Sequence, residues 1–102
     1  MILEQAMLPV KPDQEADFER VFAQAKDIIA TMPGFRGLTL SRCLERPDVY
    51  LLLVEWDRLE DHTVGFRGAP EHEQWRALLH PFYASAPSVE HFAPVATAGP
   101  AG

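Results

Sequence analysis

Residues 49–56, VYLLLVEW, alternate without offering a polar face. Tyr50, Leu52, Val54 and Trp56 leave one side of an extended chain, while Val49, Leu51 and Leu53 leave the other. Successive side chains of a strand point to opposite faces, so this strand needs apolar cover on both. One layer of helices can cover only one of them.

Upstream, FRGLTLSRCL (residues 35–44) reads as a second strand, joined to the first through Glu45-Arg46-Pro47-Asp48, whose Pro-Asp pair has turn chemistry. The two make a hairpin. Before it, KPDQEADFERVFAQAKDIIATMPGF carries Phe18, Val21, Phe22, Ala25, Ile28, Ile29 and Met32 at the spacing of one helical face. Asp13 is placed to cap the start of that helix, and Pro33-Gly34 stops it. Residues 2–10, ILEQAMLPV, alternate loosely, with Ile2, Glu4, Ala6, Leu8 and Val10 on one side. They predict a strand in which Pro9 marks either a sheet edge or the end of the ladder.

Downstream, residues 58–66 (RLEDHTVGF) predict a short helix, and Pro70 opens another through EHEQWRALL. Trp75, Leu78, Leu79 and Phe82 form the apolar side of the second helix, which Pro81 ends or kinks. SVEHFAPV (residues 88–95) alternates as a last strand. The order is β, α, β, β, α in two pieces, β. This predicts an α+β, ferredoxin-like β-α-β-β-α-β domain with a four-stranded antiparallel sheet and helices on one face. The bare face is richer in leucine and valine than a monomer tolerates, so the expected assembly is a homodimer, two sheets face to face as a dimeric α+β barrel.

The 102 residues fit one domain, expected over residues 1–95, with the small-residue stretch 96–102 as a flexible tail. Forty-seven per cent hydrophobic and 24% charged residues are ordinary for a folded domain. A net charge of −6, with nine Lys and Arg scattered along the chain, excludes nucleic acid as the expected partner, because phosphates need clustered cations. No apolar run approaches the roughly 20 residues that cross a bilayer. The N-terminus lacks the basic start and long apolar core of a secretion signal, so no membrane association is expected and the cytoplasm is the expected location. The lone Cys43 reads as a buried thiol rather than a nucleophile.

The element order, MPGFRGLTLSRCLERPDVYLLLVEW with its Pro-Gly-Phe lead into the hairpin, and LEDHTVGFRGAPEHEQW after Trp56 together resemble the antibiotic biosynthesis monooxygenase family. The resemblance spans residues 2–95. It implies a dimeric α+β barrel and a monooxygenase that works without a cofactor on a small aromatic or enolisable metabolite and O2. The family also holds haem-degrading enzymes, an isomerase and proteins without known substrates, so two other readings stand beside it: a non-catalytic metabolite-binding module, and an isomerase or lyase that does not use O2. The haem-degrading branch uses an Asn on the first strand, a Trp on the short helix and a His about ten residues later. Gln5, Gly65 or Phe66, and Trp75 or Arg76 stand near those positions, so haem is not expected.

Three residues are the catalytic candidates. His62, sharing a helix face with Leu59 and Phe66, is the candidate base, because an imidazole titrates near neutrality; the alternative is a structural ring bonded to a carbonyl. Arg67, between Gly65 and Gly68, is the candidate clamp for an enolate or peroxide anion; the alternative is a salt bridge to Glu71 or contact with helix-end carbonyls. Trp75 is either cavity wall with an indole N–H to offer, or core. Trp56 and Tyr50 could line the same cavity or fill the dimer interface. No metal site is expected: Arg76 stands where an HExxH run starting at His72 needs its second His, and His72 and His80 lie about 12 Å apart along a helix. His91 lacks a partner in sequence. No phosphate loop, dinucleotide fingerprint or nucleophile elbow is present.

Overall fold

The structure, a computed structural model, describes residues 1–101; Gly102, the last residue of the expected tail, lies outside them. Across these residues the order is β1 (Ile2–Pro9), α1 (Glu15–Ile29), β2 (Phe35–Arg42), β3 (Val49–Trp56), a π-helical turn (Asp61–Phe66), α2 (Pro70–Leu79), a 3-10 turn (His80–Phe82) and β4 (Ser88–Phe92). This is the ferredoxin-like order. The strands form one antiparallel sheet in the order β2-β3-β1-β4, with both helices on one face.

Strand parity decides what each face carries. Glu4, Ala6 and Leu8 of β1 pair with Val54, Leu52 and Tyr50 of β3 and share their face. Phe18, Phe22, Ala25 and Ile29 of α1 and Leu79 of α2 close over that face, all buried. Full burial of side chains of this size stabilises by roughly 1.5–3 kcal/mol each, which makes this layer the main source of stability. Trp56 and Tyr50 belong to it and are fully buried, so they line neither the cavity described below nor the bare face. Tyr50 packs against Phe18 with ring centroids 4.9 Å apart.

The opposite face bears Leu3, Met7, Leu51 and Leu53, all half-buried, and Phe92, which pairs with Leu3 and is 44% exposed. It is the uncovered side that VYLLLVEW requires.

Three local expectations change, and of the two given for Pro9 one holds. Asp13 does not cap α1: the N-cap is Gln14, no side chain caps the first turn, and Asp13 itself adopts φ 67°. An acidic residue tolerates that left-handed turn better than most, and the turn takes its side chain out of the capping position. Pro9 marks the end of a ladder and not an edge, because β1 lies inside the sheet between β3 and β4. The last strand stops at Phe92, ahead of Pro94, which has no N–H to continue pairing. Cys43 lies one residue beyond β2 and is half-buried. Pro81, as expected, ends α2, and the chain continues as the 3-10 turn.

Candidate active site

The site is built where β1, β3 and β4 present one residue each to the same face. Glu4 sits directly across from Val54 on one side and His91 on the other. Trp56, two residues further along β3, shares that face by the same parity. Glu4 is 6% exposed, a carboxylate set among apolar strand residues, and its Oε1 accepts a hydrogen bond of 3.0 Å from the Trp56 indole N–H.

The π-helical turn lays His62 over this pair. Its wider winding closes i to i+5, as in the 3.1 Å bond from the Arg67 N–H to the His62 carbonyl. His62 and Phe66 come to the same inner face, both buried, while Leu59 turns out to 39% exposure. The expected three-residue face is therefore a two-residue one. The imidazole stacks on Trp56, with centroids 5.6 Å apart and planes 19° from parallel.

Both ring nitrogens of His62 have protein partners. Nε2 lies 3.3 Å from Glu4 Oε1, and Nδ1 lies 2.7 Å from His91 Nε2. His91, without a partner in sequence, thus gains one through the β1–β4 register. Because the two nitrogens of His62 face different groups, they cannot converge on one ion, and no cluster of metal-binding geometry occurs among the described residues. Burial disfavours charge throughout. It pushes the Glu4 carboxyl up, against the lowering pull of the Trp56 N–H and the Arg67 charge. It pushes His62 down to about 3, helped by Arg67, His91 and His72. His72 and His91 are lowered as well, again mainly by desolvation. The ring of His62 is neutral at neutral pH.

A cavity of about 200 Å³ opens beside this group. Glu4, His62 and Phe66 form part of its wall, with Trp75, Leu79 and Tyr83 facing them. Arg67 and Arg76 also border it, and both are exposed. Trp75 meets Phe22 and Phe66 edge to face at 5.6 and 5.9 Å, so it is both core packing and cavity wall. Arg67 makes no ion pair among the described residues, with Glu71 or any other carboxylate. His62, Arg67 and Trp75 are thus brought to one cavity. Glu4 and Tyr83 are the residues near it that sequence reasoning passed over, and His91 one that it set aside for lack of a partner; the signal for Glu4 was its place in the apolar alternation of β1.

Residues 1–78 match the antibiotic biosynthesis monooxygenase family. The chain belongs to that family. A solved antibiotic biosynthesis monooxygenase homologue from Bordetella bronchiseptica is 37% identical, with a TM-score of 0.90 over 93% of this chain and 97% of that one. A protein of Bacillus subtilis (strain 168), itself uncharacterised, is 53% identical over 90% of this chain and 97% of its own length. A Streptomyces coelicolor monooxygenase solved with the ligand nanaomycin D shares 18% identity, with a TM-score of 0.83 over 98% of this chain and 92% of that one. At that identity the likeness is one of fold.

Proposed function

We propose that the protein is a cofactor-independent monooxygenase acting on a small aromatic or enolisable metabolite, with His62, Arg67 and Trp75 as its working residues. The observation that carries this reading is a buried pair, Glu4 and His62, 3.3 Å apart beside a mostly apolar cavity, with His62 hydrogen-bonded on to His91. A proton leaves the substrate into the group built on His62. The resulting carbanion, delocalised over the substrate, supplies the electrons to O2, so the protein need not. Arg67, at the exposed border of the cavity, and the Trp75 N–H stabilise the anion as it develops.

Family membership supports the reaction class, and the Streptomyces coelicolor monooxygenase with its small-molecule ligand is an example of this fold receiving one. Oxygen-electrode assays with anthrone and a panel of phenols test the reading. Uptake by the wild type and its loss in His62→Ala are expected; undiminished uptake in that variant contradicts the role.

We also infer a cytoplasmic homodimer formed through the sheet face that carries Leu3, Met7, Leu51 and Leu53. The partly exposed Leu3, Met7, Leu51 and Leu53 on the two central strands of that face support it, since a monomer would keep them in contact with water. Light scattering at micromolar concentration is expected to give twice the chain mass; a monomer would contradict the assembly.

A further inference from the structure

Two features of the cavity wall divide the work of the reading above: the buried carboxyl of Glu4 and the bond from His62 to His91. The ring of His62 is engaged on both sides, Nδ1 bonded to His91 Nε2 and Nε2 standing 3.3 Å from Glu4 Oε1, and burial keeps it a poor proton acceptor. Glu4 has an oxygen to spare. Its Oε1 takes the Trp56 N–H and faces His62, whereas Oε2 has no hydrogen-bond partner among the described residues. No side-chain oxygen sealed inside the described residues lacks a hydrogen-bond partner, so Oε2 is not sealed, and Glu4 lines the cavity.

We propose that Glu4 is the group that takes the substrate proton, through Oε2, with His62 and His91 as positioning residues behind it. This rests on the reading that the site deprotonates its ligand. His91 donates its Nε2–H to His62 Nδ1, which leaves the proton of His62 on Nε2, the nitrogen 3.3 Å from Glu4 Oε1. Together with the Trp56 N–H, that holds the carboxylate by one oxygen and leaves the other free of side-chain bonds in a residue that lines the cavity. A carboxyl that burial has pushed up also holds a proton better than one in water, as a general base requires. Arg67 and Tyr83 are the other ionisable groups near it.

The cycle closes on itself. Glu4 removes a proton from an acidic C–H; the carbanion gives its electron pair to O2 and forms a C–O bond as a peroxide anion. Glu4 returns the proton to that anion, giving a hydroperoxide and a free carboxylate. Loss of water from the hydroperoxide then leaves a carbonyl, so one oxygen atom enters the product and the other leaves as water. All four electrons come from the substrate, one pair from each of the two C–H bonds broken at that carbon.

Hydrogen exchange tests the assignment apart from oxygenation. Anthrone is incubated with the protein in D2O under argon, and loss of the methylene proton signal is followed by NMR. The wild type is expected to speed exchange, and Glu4→Gln to slow it by about 100-fold, the usual worth of a general base. Glu4→Asp, which keeps a carboxylate and guards against misfolding of the Gln variant, should recover part of the loss. His91→Leu should lower the exchange rate at saturating anthrone without changing the half-saturating concentration, which a merely structural role would not produce. If Glu4→Gln and Glu4→Asp, both folded by thermal melting, exchange as fast as the wild type, the assignment is overturned and another base serves. Glu4-dependent exchange without oxygen uptake would leave the assignment standing and remove the monooxygenase reading. No exchange and no uptake by the wild type would end both.

Discussion

Gly34→Ala strikes the joint between the core and the site. Gly34 has φ 82°, where an L side chain is strained, and its carbonyl accepts the Asp57 N–H at 2.8 Å, tying the turn after α1 to the end of β3. A Cβ there would overlap the carboxyl of Asp61 and stand 2.8 Å from the Asp61 Cβ. Asp61 opens the π-helical turn that carries His62, and its Oδ2 accepts the Arg58 N–H at 3.0 Å, as the reaching-back half of a capping box does. Alanine in the left-handed region costs about 1–2 kcal/mol. Displacing the Asp61 cap adds about 1 kcal/mol. Against these, the lower chain entropy of an unfolded alanine returns about 0.4–1 kcal/mol. The net loss is about 2 kcal/mol. At a urea dependence of about 2 kcal/mol per molar, the unfolding midpoint should fall by about 1 M, read by far-ultraviolet circular dichroism. Gly65→Ala is the control: its Cβ would meet only the Glu60 carbonyl oxygen at 3.7 Å, so stability should hold or rise by up to about 1 kcal/mol. A Gly34→Ala midpoint within 0.3 M of wild type, taken as roughly the error of such fits, would refute the packing argument.

Three further outcomes follow from the site. Arg67→Gln should lower kcat by about 100-fold with a substrate that the wild type oxidises, since it removes the charge facing the developing anion; an unchanged kcat would return Arg67 to the surface. Trp75→Phe keeps the aromatic wall but loses the N–H, and should lower kcat by about tenfold, the worth of one hydrogen bond of roughly 1.4 kcal/mol. His62 ordinarily titrates at 6.5 but folds with a value of about 3, so between those pH values only the unfolded chain binds its proton. Acid therefore favours unfolding across that window, and stability is lost as pH falls below 6.5. Glu4 has the opposite sign: its raised value means that stability falls as pH rises above its ordinary 4.5 toward that value. Glu4→Gln removes this offset, and in that variant stability should drop by about 1.4 kcal/mol per pH unit below 6.5 for one proton, seen in urea midpoints from pH 7 to 5. Flat midpoints would contradict a buried neutral His62.

Much of the fold was legible because it follows from local periodicity. VYLLLVEW becomes β3 over the same eight residues, and the helix face from Phe18 to Ile29 is the one that packs. The places where reading failed are those where a local rule competed with a longer-range one. Asp13 has capping chemistry, but the chain turns there with positive φ. The segment around His62 has helical spacing, but it winds as a π turn, which moves Leu59 outward and keeps His62 and Phe66 inward. The site was half legible. His62, Arg67 and Trp75 lie close together in sequence and meet at one cavity. Glu4 and His91 are 87 residues apart and meet only through the antiparallel register of β1 with β4, which no spacing predicts. Even so, a carboxylate in line with Ala6, Leu8 and Val10 was a visible sign, because an unpaired charge on an apolar strand face costs too much to bury without partners. Trp56 and His62 are those partners.

The most direct measurement of the central claim is the fate of heavy oxygen. The wild-type protein is given anthrone under 18O2 in ordinary water, and the product is weighed by mass spectrometry after short incubation. One heavy atom per product molecule, with formation that depends on Glu4 and His62, is the predicted result. Product without label, or no product above the uncatalysed background, would contradict a monooxygenase in which the buried carboxyl and its histidines start the reaction.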